Sequence, residues 1–179
     1  MIIDLRAILH EPRDFKLTFG AGWWQGFEEN DQILGLDSPL EVHIRITAAV
    51  GMYELDGHLS GGFRILCNRC LEPYHRDLES DFRLLLAFPP SDMDQSELEL
   101  TEEDLSVDFI TGGEVDLDDI VRGQIYLSLP MKSLCREECS GLCPVCGSNL
   151  NIDRCNCQRE GEHSGFSKLK DLKLKGEQI

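Results

Sequence analysis

The 179-residue chain lacks any run of roughly 18 apolar residues, the length a membrane-spanning helix needs. Its first residues, "MIIDLRAILHEPRDF", carry charges where a secretory leader keeps its apolar stretch. Together these absences predict a soluble, cytoplasmic protein with no membrane partner. Positive charge is scarce, with 17 Lys and Arg against 33 Asp and Glu, and from Pro89 to Asp119 twelve acids stand without a single Lys or Arg. Such a stretch cannot lie along a phosphate backbone, because it releases no counterions and is repelled. Also missing are a glycine-rich phosphate loop, a nucleophile elbow and a His-Glu metal-hydrolase helix. The pattern therefore excludes the common small-molecule chemistries and points to a binding or assembly protein, not an enzyme, with no catalytic residue. The five histidines, His10, His43, His58, His75 and His163, have no paired ligand spacing. His75 alone, close to Cys70, is a candidate substitute ligand.

Cysteine is what the chain has in excess. Six of its eight cysteines fall in "CREECSGLCPVCGSNLNIDRCNC", residues 135–157. A reducing compartment argues for metal or redox chemistry over disulfides. In "CPVCG", Cys143 and Cys146 can bite one tetrahedral ion, and Gly147 permits the tight turn whose N–H groups face the sulfurs. The "CNC" pair, Cys155 and Cys157, can close that site. Cys67 and Cys70 in "CNRC", and Cys135 and Cys139 in "CREEC", are each half a site. Keeping close pairs intact leaves three divisions into two quartets. A local one joins Cys143, Cys146, Cys155 and Cys157, and leaves Cys67, Cys70, Cys135 and Cys139 for the other site; its short loops are the cheaper to close. A cross-braced one joins Cys67 and Cys70 to Cys143 and Cys146. Either way metal ties the "CNRC" pair to the C-terminal segment.

The expected cofactor is Zn²⁺, two structural ions, whose thiolate ligands take the formal charge from −16 to about −20. Sites filled by thiolate leave no open position for a catalytic water. The rival reading is a zinc-dependent thiol redox sensor or chaperone. A dithiol oxidoreductase is a further redox alternative, weakened because "CNRC" follows a strand-like run and lacks the helix N-terminus of a dithiol catalyst.

Periodicity supplies the fold class. "LEVHIRIT" alternates, with Leu40, Val42, Ile44 and Ile46 on one side. A second run places Tyr53, Leu55, Leu59, Phe63 and Ile65 on one parity, with Gly57, Gly61 and Gly62 expected to bend or bulge it. A third does the same with Tyr74, Leu78, Phe82, Leu84 and Leu86. Short connections predict an antiparallel meander, with edge strands from "MIIDL" and "FKLTF". Pro89 to Gly113 reads as a long acidic surface loop with one short strand near "VDFI". "DLDDIVRGQIYLSLP" predicts a helix capped by Asp116, with Leu117, Ile120, Val121 and Ile125 on one face and Pro130 at its end. The result is α+β: an antiparallel sheet or meander covered by one main helix, with a cysteine-rich zinc ribbon. The expected organisation is a β-rich domain over 1–132, the ribbon over 133–158 and a basic tail over 159–179.

Taken in order, "CNRCLEP", the acidic stretch, "EVDLDDIVRGQIYLSLPMKSLCREECSGLCPVCGSNLNIDRCNC" and "FSKLKDLK" resemble the bacterial YceD family, the large ribosomal RNA subunit accumulation proteins. The resemblance runs from about Leu40 to Lys173 and is weaker before it. It implies a role in accumulation of large-subunit rRNA, hence in ribosome biogenesis, with relatives in chloroplasts and no catalytic residue to carry over. Combined with the charge, it implies a basic ribosomal protein or assembly factor as partner, docking on the acidic segment from Asp92 to Asp119. Candidate contacts to large-subunit rRNA are Arg64, Arg69, Arg154, Lys168, Lys170, Lys173 and Lys175.

Overall fold

The computed structural model describes residues 1–8, 11–24, 32–89, 107–110 and 112–157. Three strands carry the architecture: β4 (Leu40–Ala49), β5 (Met52–Leu66) and β6 (Pro73–Ala87). They pair antiparallel in sequence order, as the alternation predicts. Leu40, Ile44, Ile46, Leu55, Leu59, Phe63 and Ile65 are fully buried on the inner face, each contributing about 1.5–3 kcal/mol by leaving water. Outward positions carry the charge. Arg45 there makes a two-pronged contact with Asp14, at 2.9 and 3.1 Å, which holds the Asp14 carboxyl below its ordinary range.

Around this meander the sheet is mixed. "FKLTF" lies in β2 (Arg13–Phe19), an antiparallel neighbour of β4. "VDFI" supplies β7 (Val107–Phe109), which joins β6 in parallel. β3 (Ile33–Leu36) pairs with the far end of β5, completing six strands. "MIIDL" does not reach this sheet. Its β1 (Ile2–Asp4) forms a separate two-stranded sheet with β8 (Glu114–Asp116). Most of the acidic loop, 90–106 and residue 111, lies outside the described residues.

The helix α1 (Leu117–Ser128) starts where Asp116 accepts a hydrogen bond from the Asp118 N–H at 3.0 Å, with Asp118 and Asp119 in the first turn where the dipole favours them. Leu117, Val121 and Ile125 are fully buried against the inner face. A short 3₁₀ turn, Ala21–Trp24, completes the cover. Trp24 meets Phe63 edge-on at 6.1 Å and Tyr126 at 5.7 Å, while Trp23 stacks on Phe19 at 4.2 Å under the Arg122 guanidinium.

The glycines of β5 correct one expectation. They do not bulge the strand, whose register with β6 is unbroken from Met52 to Leu66; the register shift lies in β3, between Ile33 and Gly35. Close approach is their reason instead. A Cβ at Gly61 would sit 3.1 Å from the Leu40 backbone, and one at Gly62 would meet His75 and Ser38, where the chain between β3 and β4 folds onto β5. Gly57 lies under the ring of Phe82, its direct partner in β6. Gly57→Ala will push that ring aside and destabilise the protein by about 1–3 kcal/mol. Thermal denaturation checks this, and a raised Tm, as expected for an unstrained Gly→Ala change, would show that the ring does not pack there.

Candidate metal centre

β5 and β6 form a hairpin whose loop is "CNRCLE". Leu66 opposite Pro73 is its last strand pair. The Leu71 N–H then donates to the Cys67 carbonyl at 2.9 Å, and the Arg69 N–H points at the Cys67 sulfur at 3.5 Å. The second knuckle repeats the turn, with the Gly147 N–H donating to the Cys143 carbonyl at 2.9 Å. In both the residue after the second cysteine is left-handed, φ +74° at Gly147 and φ +59° at Leu71. Glycine takes that conformation freely, whereas a residue with a Cβ loses about 1–2 kcal/mol.

The eight cysteines converge in two quartets, Cys67, Cys70, Cys135 and Cys139 in one and Cys143, Cys146, Cys155 and Cys157 in the other, with the sulfurs of each within 4.8 Å of one another. This is the local division of the alternatives above. Cys67 to Cys139 and Cys70 to Cys135 are both 3.7 Å, sulfur to sulfur. A disulfide needs about 2.05 Å, while four sulfurs at about 2.3 Å from a tetrahedral zinc lie about 3.8 Å apart. The donor set and spacing therefore fit a closed tetrahedral metal site. His75 belongs to neither quartet: it faces outward, paired with Asp37 at 3.3 Å and Asp77 at 3.0 Å, because strand alternation after Cys70 turns it away. Those carboxylates raise its pKa.

The quartets differ in shelter. Cys67, Cys70 and Cys139 are buried, whereas Cys146 and Cys157 are exposed. Asn151, in the loop that closes the outer quartet, donates to the Cys139 sulfur of the inner one at 3.3 Å. Its carbonyl accepts from the Ser140 N–H at 2.8 Å and from Arg136 at 2.6 Å, and Asn149 holds its amide at 2.8 Å. Sequence reasoning missed this pair, since polar residues in a loop give no signal until the fold brings them to a sulfur.

Charge explains what the quartets demand. Burial works against ionisation of Cys67, yet the N–H groups of Cys70, Cys135 and Arg69 pull it down to about 6. Burial and the neighbouring cysteines push Cys135 up to about 12. In the outer quartet the Ser148 hydroxyl and N–H bring Cys146 to about 6, while Cys146 itself leads in raising Cys157 to about 12. Four thiolates this close cannot ionise together without a cation among them.

Of the candidate RNA contacts, Arg64 is exposed and 3.8 Å from Asp37, and Arg154 is exposed and directly precedes Cys155 in the chain. Arg69 is occupied by the protein itself, donating to the carbonyls of Cys139 at 2.9 Å and Glu137 at 3.3 Å. Lys168, Lys170, Lys173 and Lys175 lie outside the described residues.

The family described as large ribosomal RNA subunit accumulation protein YceD matches residues 55–173, from within β5 through both quartets. The chain belongs to this family. Among YceD relatives, the Arabidopsis thaliana "Large ribosomal RNA subunit accumulation protein YCED homolog 1, chloroplastic" is 26% identical over 157 residues, 76% of this chain and 49% of that protein. Its Zea mays counterpart is 28% identical over 158 residues, 75% of this chain and 54% of its own length. An uncharacterised protein of Mycobacterium tuberculosis is 37% identical over 84 residues, 47% of this chain and 38% of that protein. The chain thus spans about half the length of the plant YceD relatives it matches. No solved structure matches it. Among the described residues no helix is long and apolar enough to cross a membrane.

Proposed function

We propose that this YceD-family chain is a non-enzymatic zinc-binding factor of large ribosomal subunit biogenesis, supporting accumulation of large-subunit rRNA through a basic ribosomal protein or assembly factor. The observation that carries the reading is the family match over residues 55–173, which takes in both quartets. The names of the plant relatives, large ribosomal RNA subunit accumulation proteins, agree with it. In this reading residues 1–132 are the scaffold, 133–158 a ribbon fastened to it by metal, and 159–179 a basic tail. Two Zn²⁺ ions are held by Cys67, Cys70, Cys135 and Cys139, and by Cys143, Cys146, Cys155 and Cys157. Zinc supplies charge compensation and cross-linking there, and the chain supplies geometry and N–H···S contacts. Arg64, Arg154 and the tail lysines remain the side chains through which rRNA is touched locally.

Metal analysis of the purified chain and measurement of large-subunit rRNA in cells deprived of it test the reading. Two zinc ions per chain and a specific fall in that rRNA are expected; unchanged rRNA overturns the function, and a metal-free native protein overturns the zinc. Zinc uptake at neutral pH will also release protons. Cys70 and Cys135, and Cys155 and Cys157, all have pKa values raised above the ordinary thiol range, so they are protonated at pH 7 before metal arrives. At least two protons per ion are expected, and affinity falls as pH falls. Calorimetry in buffers of different ionisation enthalpy reads that number directly.

The redox-sensor reading is favoured by one observation, the exposure of Cys146 and Cys157. Mild peroxide separates the two. A sensor loses zinc and forms disulfides at low oxidant, whereas an assembly factor keeps its metal until it unfolds.

A further inference from the structure

One side chain reaches from the loop of the outer quartet to a sulfur of the inner one. Asn151 stands between Cys146 and Cys155 in the chain, yet its amide donates to the Cys139 sulfur at 3.3 Å. Which end of the amide faces sulfur is fixed by its neighbours. Its oxygen accepts from the Ser140 N–H at 2.8 Å and from the Arg136 guanidinium at 2.6 Å, and both of those groups can only donate. The NH₂ end is therefore turned to Cys139 and, at 2.8 Å, to the side-chain oxygen of Asn149. That oxygen also accepts from the Asn151 N–H at 3.0 Å, so it too is set as an acceptor. Two donors and two acceptor positions are all that an asparagine amide offers, and each is in use.

The contacts clasp both ends of "CREEC". Arg136 follows Cys135, and Ser140 follows Cys139. Asn151 thus holds the span between the two inner cysteines of the C-terminal segment, from a loop whose own ends are set by outer cysteines. The backbone reinforces the link: the Leu150 N–H donates to the Gly141 carbonyl at 2.9 Å, the Cys143 N–H donates to the Ser148 carbonyl at 2.8 Å, and Leu142 is bridged to Asn149. A loop released from its outer cysteines loses the position from which the amide meets Cys139. Groups that orient a metal ligand in this way typically contribute about 10–100-fold in metal affinity.

We propose that Asn151 couples the two quartets, so that filling either one strengthens the hold of the other on its ion by about tenfold or more. The inference rests on the zinc reading above and deepens it: the quartets form one cooperative unit, not two independent sites. Such coupling is reciprocal, whichever ion enters first.

The test withdraws zinc from the loaded full chain with a competing chelator under reducing conditions. Three forms are compared: wild type, Cys70→Ser, which keeps only the outer site, and Cys146→Ser with Cys157→Ser, which keeps only the inner. The binding constant for both ions in wild type, divided by the product of the two single-site constants, is the coupling factor. A factor of about ten or more is expected in wild type, and about one when all three forms also carry Asn151→Ala. Asn151→Asp keeps an acceptor for Ser140 and Arg136 but, ionised, brings no proton to the sulfur. It is expected to lower the factor at least as far. A wild-type factor near one, or a factor that survives either substitution, overturns the coupling and leaves the zinc reading intact. Loss of the outer ion altogether in both Asn151 variants shows that the side chain only holds its own loop, and overturns the coupling as well. Should that loss occur with Asn151→Ala alone, the factor in Asn151→Asp decides. A wild-type chain that holds no zinc overturns the coupling and the zinc reading together.

Discussion

On the proposed zinc reading, Cys70→Ser is expected to lower the zinc content from two ions to one and to free the segment from Ser133 to Leu142 from the sheet. Hydrogen bonds alone do not keep it there. Asn68 to the Ser133 carbonyl, Leu142 to the Arg69 carbonyl, and the Arg69 guanidinium to the carbonyls of Cys139 and Glu137 are four contacts, worth about 2–6 kcal/mol together. Ordering ten residues costs about 10–20 kcal/mol. A structural zinc site contributes on the order of 10 kcal/mol, so on the proposed reading metal decides whether the segment is attached. Limited proteolysis and amide exchange should show 133–142 exposed in the variant and in chelated wild type, while β4, β5 and β6 stay protected. Unchanged cleavage and exchange after chelation would falsify the fastening role.

Phe63→Ala is the second large effect, and it strikes the other half of the structure. Phe63 has no exposed surface, and Trp24 meets its ring edge-on at 6.1 Å. Removing a buried phenylalanine costs about 3–5 kcal/mol, in lost transfer energy and the cavity left behind. Typical domains have about 5–15 kcal/mol in all. The variant therefore sits near its unfolding threshold. Urea titration followed by tryptophan fluorescence measures the loss, and less than about 1 kcal/mol would mean that the Trp24 turn collapses into the space. Zinc content tells the two predictions apart, because Phe63→Ala should keep both ions under native conditions.

The strands were legible because one face of the sheet is buried and the other is wet, so Leu40 to Ile46 and Leu55 to Ile65 write their period openly. Asp116 announced the helix through capping chemistry, which is local. What stayed hidden depends on which strand meets which. The short strand near "VDFI" was expected, but its three residues do not show that it joins β6 in parallel, and nothing in "ILGL" shows that β3 takes over from β4 along β5. The Trp23–Trp24 turn is likewise too short for a pattern. In the metal centre, thiol pairs were visible because spacing is their chemistry, whereas Asn151 becomes a sulfur contact only through tertiary placement. Leu71 did leave a trace. Superposing "CNRCL" on "CPVCG" puts a leucine where a glycine belongs.

That the loop of the β5–β6 hairpin is itself half of a candidate metal site also orders events in time. Cys67 and Cys70 take their places when a local hairpin closes, an event of microseconds once both strands are available. The second strand ends at Ala87 and the partner Cys135 comes 48 residues later, about 2–10 s of synthesis at about 5–20 residues per second. Throughout that interval the nascent chain displays a bare two-thiol knuckle on a hairpin. On the proposed zinc reading the inner ion is therefore captured in two stages, first by Cys67 and Cys70 of the hairpin and then by Cys135 and Cys139.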